Sequence, residues 1–380
     1  MSVLFRKKYS RRIVISCLIL LIAGICSLSS GTALAQALTP LKEEIQGRVT
    51  IQGNVFEDVG PIEEDLVGPT VDFPEEMRLF IQTIAKNARR RNPNFVIVVE
   101  NALGLLTKTD RVDEELAMPA RTYSRSIDGV LEVGLFYGTP FYGKPYDEPK
   151  VQAVQLGFAK RAQNEALPVF VLDKADQPEA VNAGRQQSLE RRYVYASIPS
   201  SEIETATLPD YPARPFDENP GSVMSLGSVK NYAVIGNSAA YGREDEYAMR
   251  MHKTNYDMLI VDVFHGRSPL SKQAVQTLKY KNTGAKRLVL ARVNIGTAAS
   301  YHYYWKSHWA PGSPMWIGAP LNQDPDRYFV EYWRPEWQRV ITGGTQSFMY
   351  GIIAQGYDGV VLSDADVVDV FDAGGQSELQ

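Results

Sequence analysis

Short apolar runs recur along the chain, and each is continuous rather than alternating in polarity. They are VIVVEN at 96–101, GVLEVGLF at 129–136, VFVLD at 169–173, YVYASI at 193–198, NYAVIG at 231–236, MLIVDVF at 258–264, RLVLARVNIG at 287–296 and GVVLS at 359–363. Continuous runs suit strands covered on both faces, as in a parallel sheet flanked by helices. Helical patterns lie among them, at Glu75 to Arg90 and near 150–166, 244–253, 269–283 and 335–355. Eight such strands in about 300 residues predict an α/β fold, a (β/α)8 TIM barrel. An open doubly wound sheet is the alternative for the same pattern. Pro209, Pro212, Pro215 and Pro220 give 201–230 the composition of a linker, which divides the strands into two groups of four.

The first 35 residues have the pattern of a signal peptide. Arg6, Lys7, Lys8, Arg11 and Arg12 form a basic start, Ile13 to Leu28 is apolar, and Ala33-Leu34-Ala35 is an A-x-A cleavage signal. Cleavage near Ala35 and a periplasmic or secreted location are expected, with no membrane association once the segment is removed; an uncleaved anchor is the alternative. Both cysteines, Cys17 and Cys26, lie in this segment, so the remaining chain is expected to have neither disulfide nor thiol chemistry. Without residues 1–35 the chain carries 35 Lys+Arg against 44 Asp+Glu, a net of −9, with no basic cluster suited to nucleic acid. Arg89 to Arg91 end a predicted helix, where cations favour its dipole. Residues 36–70 read as an acidic, Gly/Pro-punctuated extension ahead of the first helix.

Several strands end in an acid: Glu100, Asp173, Asp262 and, one residue past the strand, Asp364; Glu132 lies within another. In a barrel the carboxyl ends of the strands converge on one face, where chemistry is carried out. Carboxylates meeting there suit glycosidic cleavage or cation binding. The plainer reading is that each closes a turn or caps a helix. Asp128, Asp257 and Asp358 open strands and are expected at the opposite face in structural roles. All five tryptophans fall between 301 and 337, together with Tyr301, Tyr303, Tyr304 and Tyr332. This cluster reads either as a platform for sugar rings or as a small aromatic core. The four histidines have no standard metal spacing, although His265 follows the tip of the Asp262 strand; neither metal nor cofactor is expected.

Four segments in order, YDMLIVDVF, RLVLARVNIGTAASYHYYW, FVEYWRPEWQRVI and GYDGVVLSDAD, resemble the endo-α-1,4-polygalactosaminidase-type glycoside hydrolases. That pattern runs as a strand ending in Asp, then S-I-G-E-A-E-x-Y-R-x-Y-W, V-x-Y-W-x-P-x-W and G-F-D-G-V-Y-L-D. The match covers 231–371 and resembles the first half of the family's barrel. Residues 77–173 resemble its second half. The resemblance therefore implies a circular permutation, with 231–375 supplying family strands one to four and 71–200 strands five to eight. The chain would be cut between strands four and five. GVVLS would be the fourth strand, paired in parallel with both 287–296 and 96–101.

What the resemblance implies is attack on an extracellular amino-sugar polysaccharide. Asp262 matches the strand-two acid, Asn101 a strand-five asparagine, Glu132 the strand-six glutamate and Asp173 the strand-seven acid. Asp364 and Asp366 follow the fourth strand. Asn294, Tyr301, Trp305 and Trp333 fall in the later motifs and are expected, with Asn101, Asp173, His265 and Asp366, to bind substrate. The departures are Thr297 and Ala299 for the two glutamates, His302 for the arginine, and Ser363 for the terminal acid. Three readings follow. One is an active glycosidase using Asp262 with Asp364, Asp366 or Glu132. Another is an inactive barrel that binds polysaccharide. The third is an unrelated exported scaffold.

Overall fold

The computed structural model describes residues 71–108, 117–138, 149–199 and 206–372. The expected signal peptide at 1–35 and the expected extension at 36–70 lie outside the described residues. From Val71 onward the chain forms one compact unit.

Eight parallel strands make the sheet: β1 Val96–Glu100, β2 Gly129–Val133, β3 Val169–Lys174, β4 Val194–Ile198, β5 Tyr232–Ile235, β6 Met258–Asp262, β7 Leu288–Asn294 and β8 Gly359–Ser363. Their order is β4-β3-β2-β1-β8-β7-β6-β5. The end strands β4 and β5 lie against each other without a hydrogen-bonded ladder, so the barrel is nearly closed. β8 pairs in parallel with β1 (Val96 opposite Gly359) and with β7 (Leu290 opposite Gly359), as the sequence predicts.

The side chains of each strand separate into two layers. Val98, Leu131, Val133, Phe170, Leu172, Val234, Met258, Ile260, Leu290 and Val361 fill the barrel interior. The alternate positions, such as Ile97, Val99, Val130, Val171, Leu259, Val289 and Val360, pack under the helices. Nine helices surround the sheet among the described residues: α1 Phe73–Arg91, α2 Arg121–Ser124, α3 Pro149–Asn164, α4 Pro178–Arg191, α5 Glu244–His252, α6 Lys272–Leu278, α7 Pro335–Ile341, α8 Phe348–Gln355 and α9 Val367–Asp372. Asp72 caps α1 by accepting the Glu75 N–H at 2.9 Å. Met77, Phe80, Ile81, Ile84 and Ala88 form its buried stripe.

Three elements depart from the sequence reading. The helix expected over 335–355 is split into α7 and α8 at Gly343-Gly344, where Gly343 takes φ +113°. Helix α4 has almost no apolar stripe; it buries only Val181, Gly184 and Ser188, so its periodicity is invisible. Between β7 and α7 the chain builds a three-stranded antiparallel sheet from Thr297–Ala299, Ile317–Pro320 and Arg327–Val330. This excursion rises from the carboxyl end of β7 and forms a wall above the barrel mouth.

At the amino ends of the strands, three aspartates clamp the neighbouring strand. Asp128 accepts the Ile97 N–H at 2.7 Å, Asp257 the Lys230 N–H at 2.9 Å and Asp358 the Val289 N–H at 2.9 Å. Asp257 and Lys281 are fully buried and 2.6 Å apart. Lys281 also donates to the carbonyls of Asn219 and Gly221, which ties the Pro-rich connection to the barrel floor. These are structural roles, remote from the carboxyl ends.

Candidate functional site

A cleft opens at the carboxyl ends of β5 to β8. Its lining includes Asp262 from β6, Arg292 and Asn294 from β7, Asp364 after β8, and Tyr301, His302, Tyr304, Asp324 and Arg327 from the excursion. Asp262, Arg292, Asn294, Ser363 and Glu100 continue the interior parity of their strands. Each therefore points into the mouth of the barrel.

Asp364 reaches the cleft by a different route. A one-residue step from Ser363 on a regular strand would turn it outward. Instead Asp364 adopts φ +62°, in the left-handed region, where aspartate is among the residues that enter at modest cost. This swings its carboxylate back over the barrel mouth. Asn294 Nδ2 donates to Asp364 Oδ2 at 2.7 Å, and the Thr297 hydroxyl donates to the same oxygen. The turn between β7 and the excursion must pass close to this backbone. An added Cβ at Gly296 would collide with the Asp364 carbonyl and lie 2.5 Å from Val367 Cγ2. Asp262 accepts the Phe264 N–H at 2.9 Å through Oδ1, which fixes its carboxylate at the strand tip.

Beneath these groups lies an ion pair. Arg292 Nη2 donates to Glu100 Oε1 at 2.6 Å and Nε to Oε2 at 3.1 Å; Nε also donates to Ser363 Oγ at 2.8 Å. Burial opposes the guanidinium charge, and the Glu100 carboxylate more than offsets that, so Arg292 is held above its ordinary pKa. On the wall, Arg327 donates to the Tyr301 hydroxyl at 2.7 Å and lies 3.4 Å from Asp324. His302 sits between Phe264 and Tyr304, with ring centroids 5.0 and 5.4 Å away. Burial, reinforced by Arg327, pushes its pKa down to about 4, so the ring is neutral over the physiological range.

The structure thus brings Asp262, Asp364, Asn294 and Tyr301 together. The other residues singled out from the sequence stand elsewhere. Glu132 has the parity of Val130, faces the helices and is fully buried. Burial, then the charge of Glu100, raises its pKa to about 8. Asp173 also faces outward, under α4, where its Oδ1 accepts the Phe136 N–H at 3.1 Å; burial raises it to about 7. Asn101, at φ +52°, bridges the Val133 N–H and Asp366 Oδ2. Asp366 is buried behind the cleft, and burial together with Asp364 raises its pKa well above the carboxylate range. His265 pairs with the Ser238 hydroxyl at 3.0 Å, off the cleft.

Most of the aromatic cluster is a core. Trp305 stacks on Tyr328, and Trp309, Trp316 and Trp337 follow in edge and tilted contacts. Trp337 Nε1 donates to the Ile295 carbonyl at 2.7 Å, anchoring α7 to the chain just past β7. Trp333 packs on Phe73 and Phe371. Neither Trp305 nor Trp333 lines the cleft; the rings that do are Tyr301, His302, Tyr304 and Phe348. Arg292 and Arg327 are not among the residues singled out from the sequence; Glu100 stands there only as one of the strand-tip acids and Thr297 only as a departure from the motif. Among the described residues, no group of three or more His, Cys, Asp or Glu side chains is arranged to hold a metal ion. No described helix is long and apolar enough to cross a membrane.

No family model matches the chain. It is similar to an uncharacterized protein of Methanocaldococcus jannaschii, 27% identical over 140 residues, 37% of this chain and 39% of the relative. An uncharacterized protein of Thermotoga maritima is 27% identical over 145 residues, 38% of this chain and 43% of its own length. One of Deinococcus radiodurans is 28% identical over 155 residues, 40% and 44% respectively. The chain spans about two fifths of the length of the curated relatives it matches.

Proposed function

We propose that the protein is an exported glycoside hydrolase acting on an amino-sugar exopolysaccharide, with Asp262 and Asp364 as its paired carboxylates. The observation that carries this reading is their convergence on one cleft at the carboxyl face of the barrel. Asp364 is fixed over the cleft by the two donors that meet on its Oδ2, the geometry of a nucleophile or base. Asp262 then supplies the proton to the glycosidic oxygen as the bond from C1 to that oxygen breaks. The Asp364 carboxylate either bonds to C1 or takes the proton of the water that does. The rings of Tyr301, Tyr304 and Phe348 offer apolar faces to a sugar chain.

The barrel itself is read as circularly permuted. The gap in the hydrogen-bonded sheet falls between β4 and β5, beside the Pro-rich connection, whereas β8 and β1 pair fully. A colinear alignment between a permuted chain and an unpermuted relative carries one half at most. Matches confined to two fifths of each chain fit that expectation.

The test is release of new reducing ends from partly deacetylated galactosaminoglycan and from poly-N-acetylglucosamine. Asp262→Asn and Asp364→Asn are each expected to lower turnover about 10²- to 10⁴-fold. Release that persists in both variants would move the chemistry elsewhere. A second reading has its own support. Ser363 occupies the interior position where the resembled pattern has an acid, and the adjacent Glu100 is engaged by Arg292. Polymer that co-sediments with the protein without being cut would make the barrel a polysaccharide-binding module.

A further inference from the structure

We infer that Arg292 is the positioning residue of the cleft, the fixed cation that lets Asp262 and Asp364 face the same substrate as a working pair. This rests on the glycosidase reading above. Three features of the structure support it. First, Arg292 stands between the two acids. It is directly opposite Asp262 in the β6–β7 register, and its Nε bonds the hydroxyl of Ser363, the residue before Asp364. It lines the cleft with both carboxylates, and Asp364 adds to the field that stabilises its charge.

Second, it is held from behind. Its side chain reaches from β7 across β8 to Glu100 on β1, so one ion pair spans three consecutive strands. The small Ser363 side chain makes this crossing possible. Its hydroxyl accepts from Arg292 and donates to Glu100 at 3.1 Å, so it completes the link without adding a charge. A bidentate guanidinium–carboxylate pair fixes direction as well as distance. Third, Arg327 is held on the excursion wall by Asp324 and Tyr301, and reaches Asp364 only through the Thr297 hydroxyl, to which it donates at 3.4 Å. Lys174, the last residue of β3, also acts electrostatically on Arg292 and Glu100, but Arg292 is the cation placed opposite Asp262 and bonded to the residue before Asp364. Two carboxylates on one site repel each other, and a fixed cation in a water-poor floor relieves this without reorganising during the reaction.

The experiment is steady-state hydrolysis of the same polymers by the purified protein and by Arg292→Gln, Arg292→Lys, Arg292→Ala and the neutralised pair Glu100→Gln/Arg292→Gln. Arg292→Gln is expected to lower kcat about 10²- to 10³-fold, with KM changed less than about threefold, since the interaction acts on charge developed in the reaction. Arg292→Lys should recover only part of kcat, because a single ammonium cannot hold both Glu100 oxygens and Ser363. Added guanidinium at millimolar concentration should raise kcat of Arg292→Ala, a rescue that a merely structural role would not give. If Arg292→Gln fails to fold because Glu100 is left buried and unpaired, the neutralised pair keeps the test in place. Near-normal kcat in both Arg292→Gln and the neutralised pair, or a variant defect that appears only in KM, would overturn the inference while leaving the glycosidase reading intact. A parent protein that releases no reducing ends would overturn that reading and this role with it.

Discussion

Replacing Gly296 by alanine tests whether the turn between β7 and the excursion sets the position of Asp364. The new Cβ would lie 2.5 Å from Val367 Cγ2, against an ordinary contact of at least 3.4 Å, and would also meet the Asp364 carbonyl. The backbone on one side or the other must therefore yield by about 1 Å. Asp364 follows directly after β8 and is held by Asn294 and Thr297, the two residues that bracket this turn. If Asp364 has the role proposed for it, displacement on that scale costs about 10²-fold in rate. Overpacking adds a stability cost of about 1–3 kcal/mol. For a folded unit of roughly 300 residues the unfolding entropy is about 0.6 kcal/mol per degree, so Tm should fall by about 2–5 °C. Reducing-end release and a thermal melt measure the two effects. Gly104→Ala is the control, since a Cβ there meets nothing within 4 Å. Turnover within about threefold of the parent, with an unchanged Tm, would show that the turn has slack. The account of how Asp364 is positioned would then be refuted.

Further outcomes follow from groups outside the cleft. Lys281→Met breaks the buried pair with Asp257 and strands two carbonyls, at a cost of about 3–5 kcal/mol or roughly 5–8 °C in Tm, with turnover unchanged because the pair lies at the other end of the barrel. Neutralising both partners with Asp257→Asn/Lys281→Met should cost less than the single change, which a double-mutant cycle of melts would measure. Burial, then the charge of Glu100, pushes the Glu132 carboxyl from its ordinary value near 4.5 up to about 8 in the fold, so the fold binds an extra proton between those values. Its contribution is therefore fully present below about pH 4.5 and is lost as pH rises through 8. Melts of Glu132→Gln should fall less steeply than the parent between pH 6 and pH 9, and parallel curves would refute this. Ser363→Asp places a second carboxylate on Arg292 beside Glu100 and should lower stability by about 1–3 kcal/mol, read from denaturant midpoints.

The strands and their pairing were legible because parallel strands buried on both faces leave a simple signal, a short unbroken apolar run between turns. The same property hides which face each residue takes. In MLIVD or GVLEV no polar position marks the solvent side, so parity cannot be read from one strand alone. Glu132 and Asp262 therefore look alike in the sequence, yet one faces the helices and the other the cleft. The antiparallel excursion was obscured for another reason. Its strands are three or four residues long, and its aromatic residues pack on one another rather than in a period.

Asp364 and Arg292 mark the two limits of what the residues could reveal. No local code announces that Asp364 will take a positive φ; that conformation is accompanied by contacts from Asn294, Thr297 and the close passage of Gly296, supplied by the end of β7 and the turn after it, some 70 positions earlier. Arg292 is the opposite case. It is a charge in the middle of LVLARVN, a strand otherwise apolar to its last residue. A cation there cannot be buried without a partner, so its presence alone required an acid from a neighbouring strand at the same height. Two tip acids lay within that reach, Glu100 and Asp262, on opposite sides of β7. The short Ser363 side chain on the intervening strand decides between them, because it leaves the path to Glu100 open. Ser363 and Arg292 thus act as one unit: the small hydroxyl on β8 lets an ion pair cross from β7 to β1 at the barrel mouth.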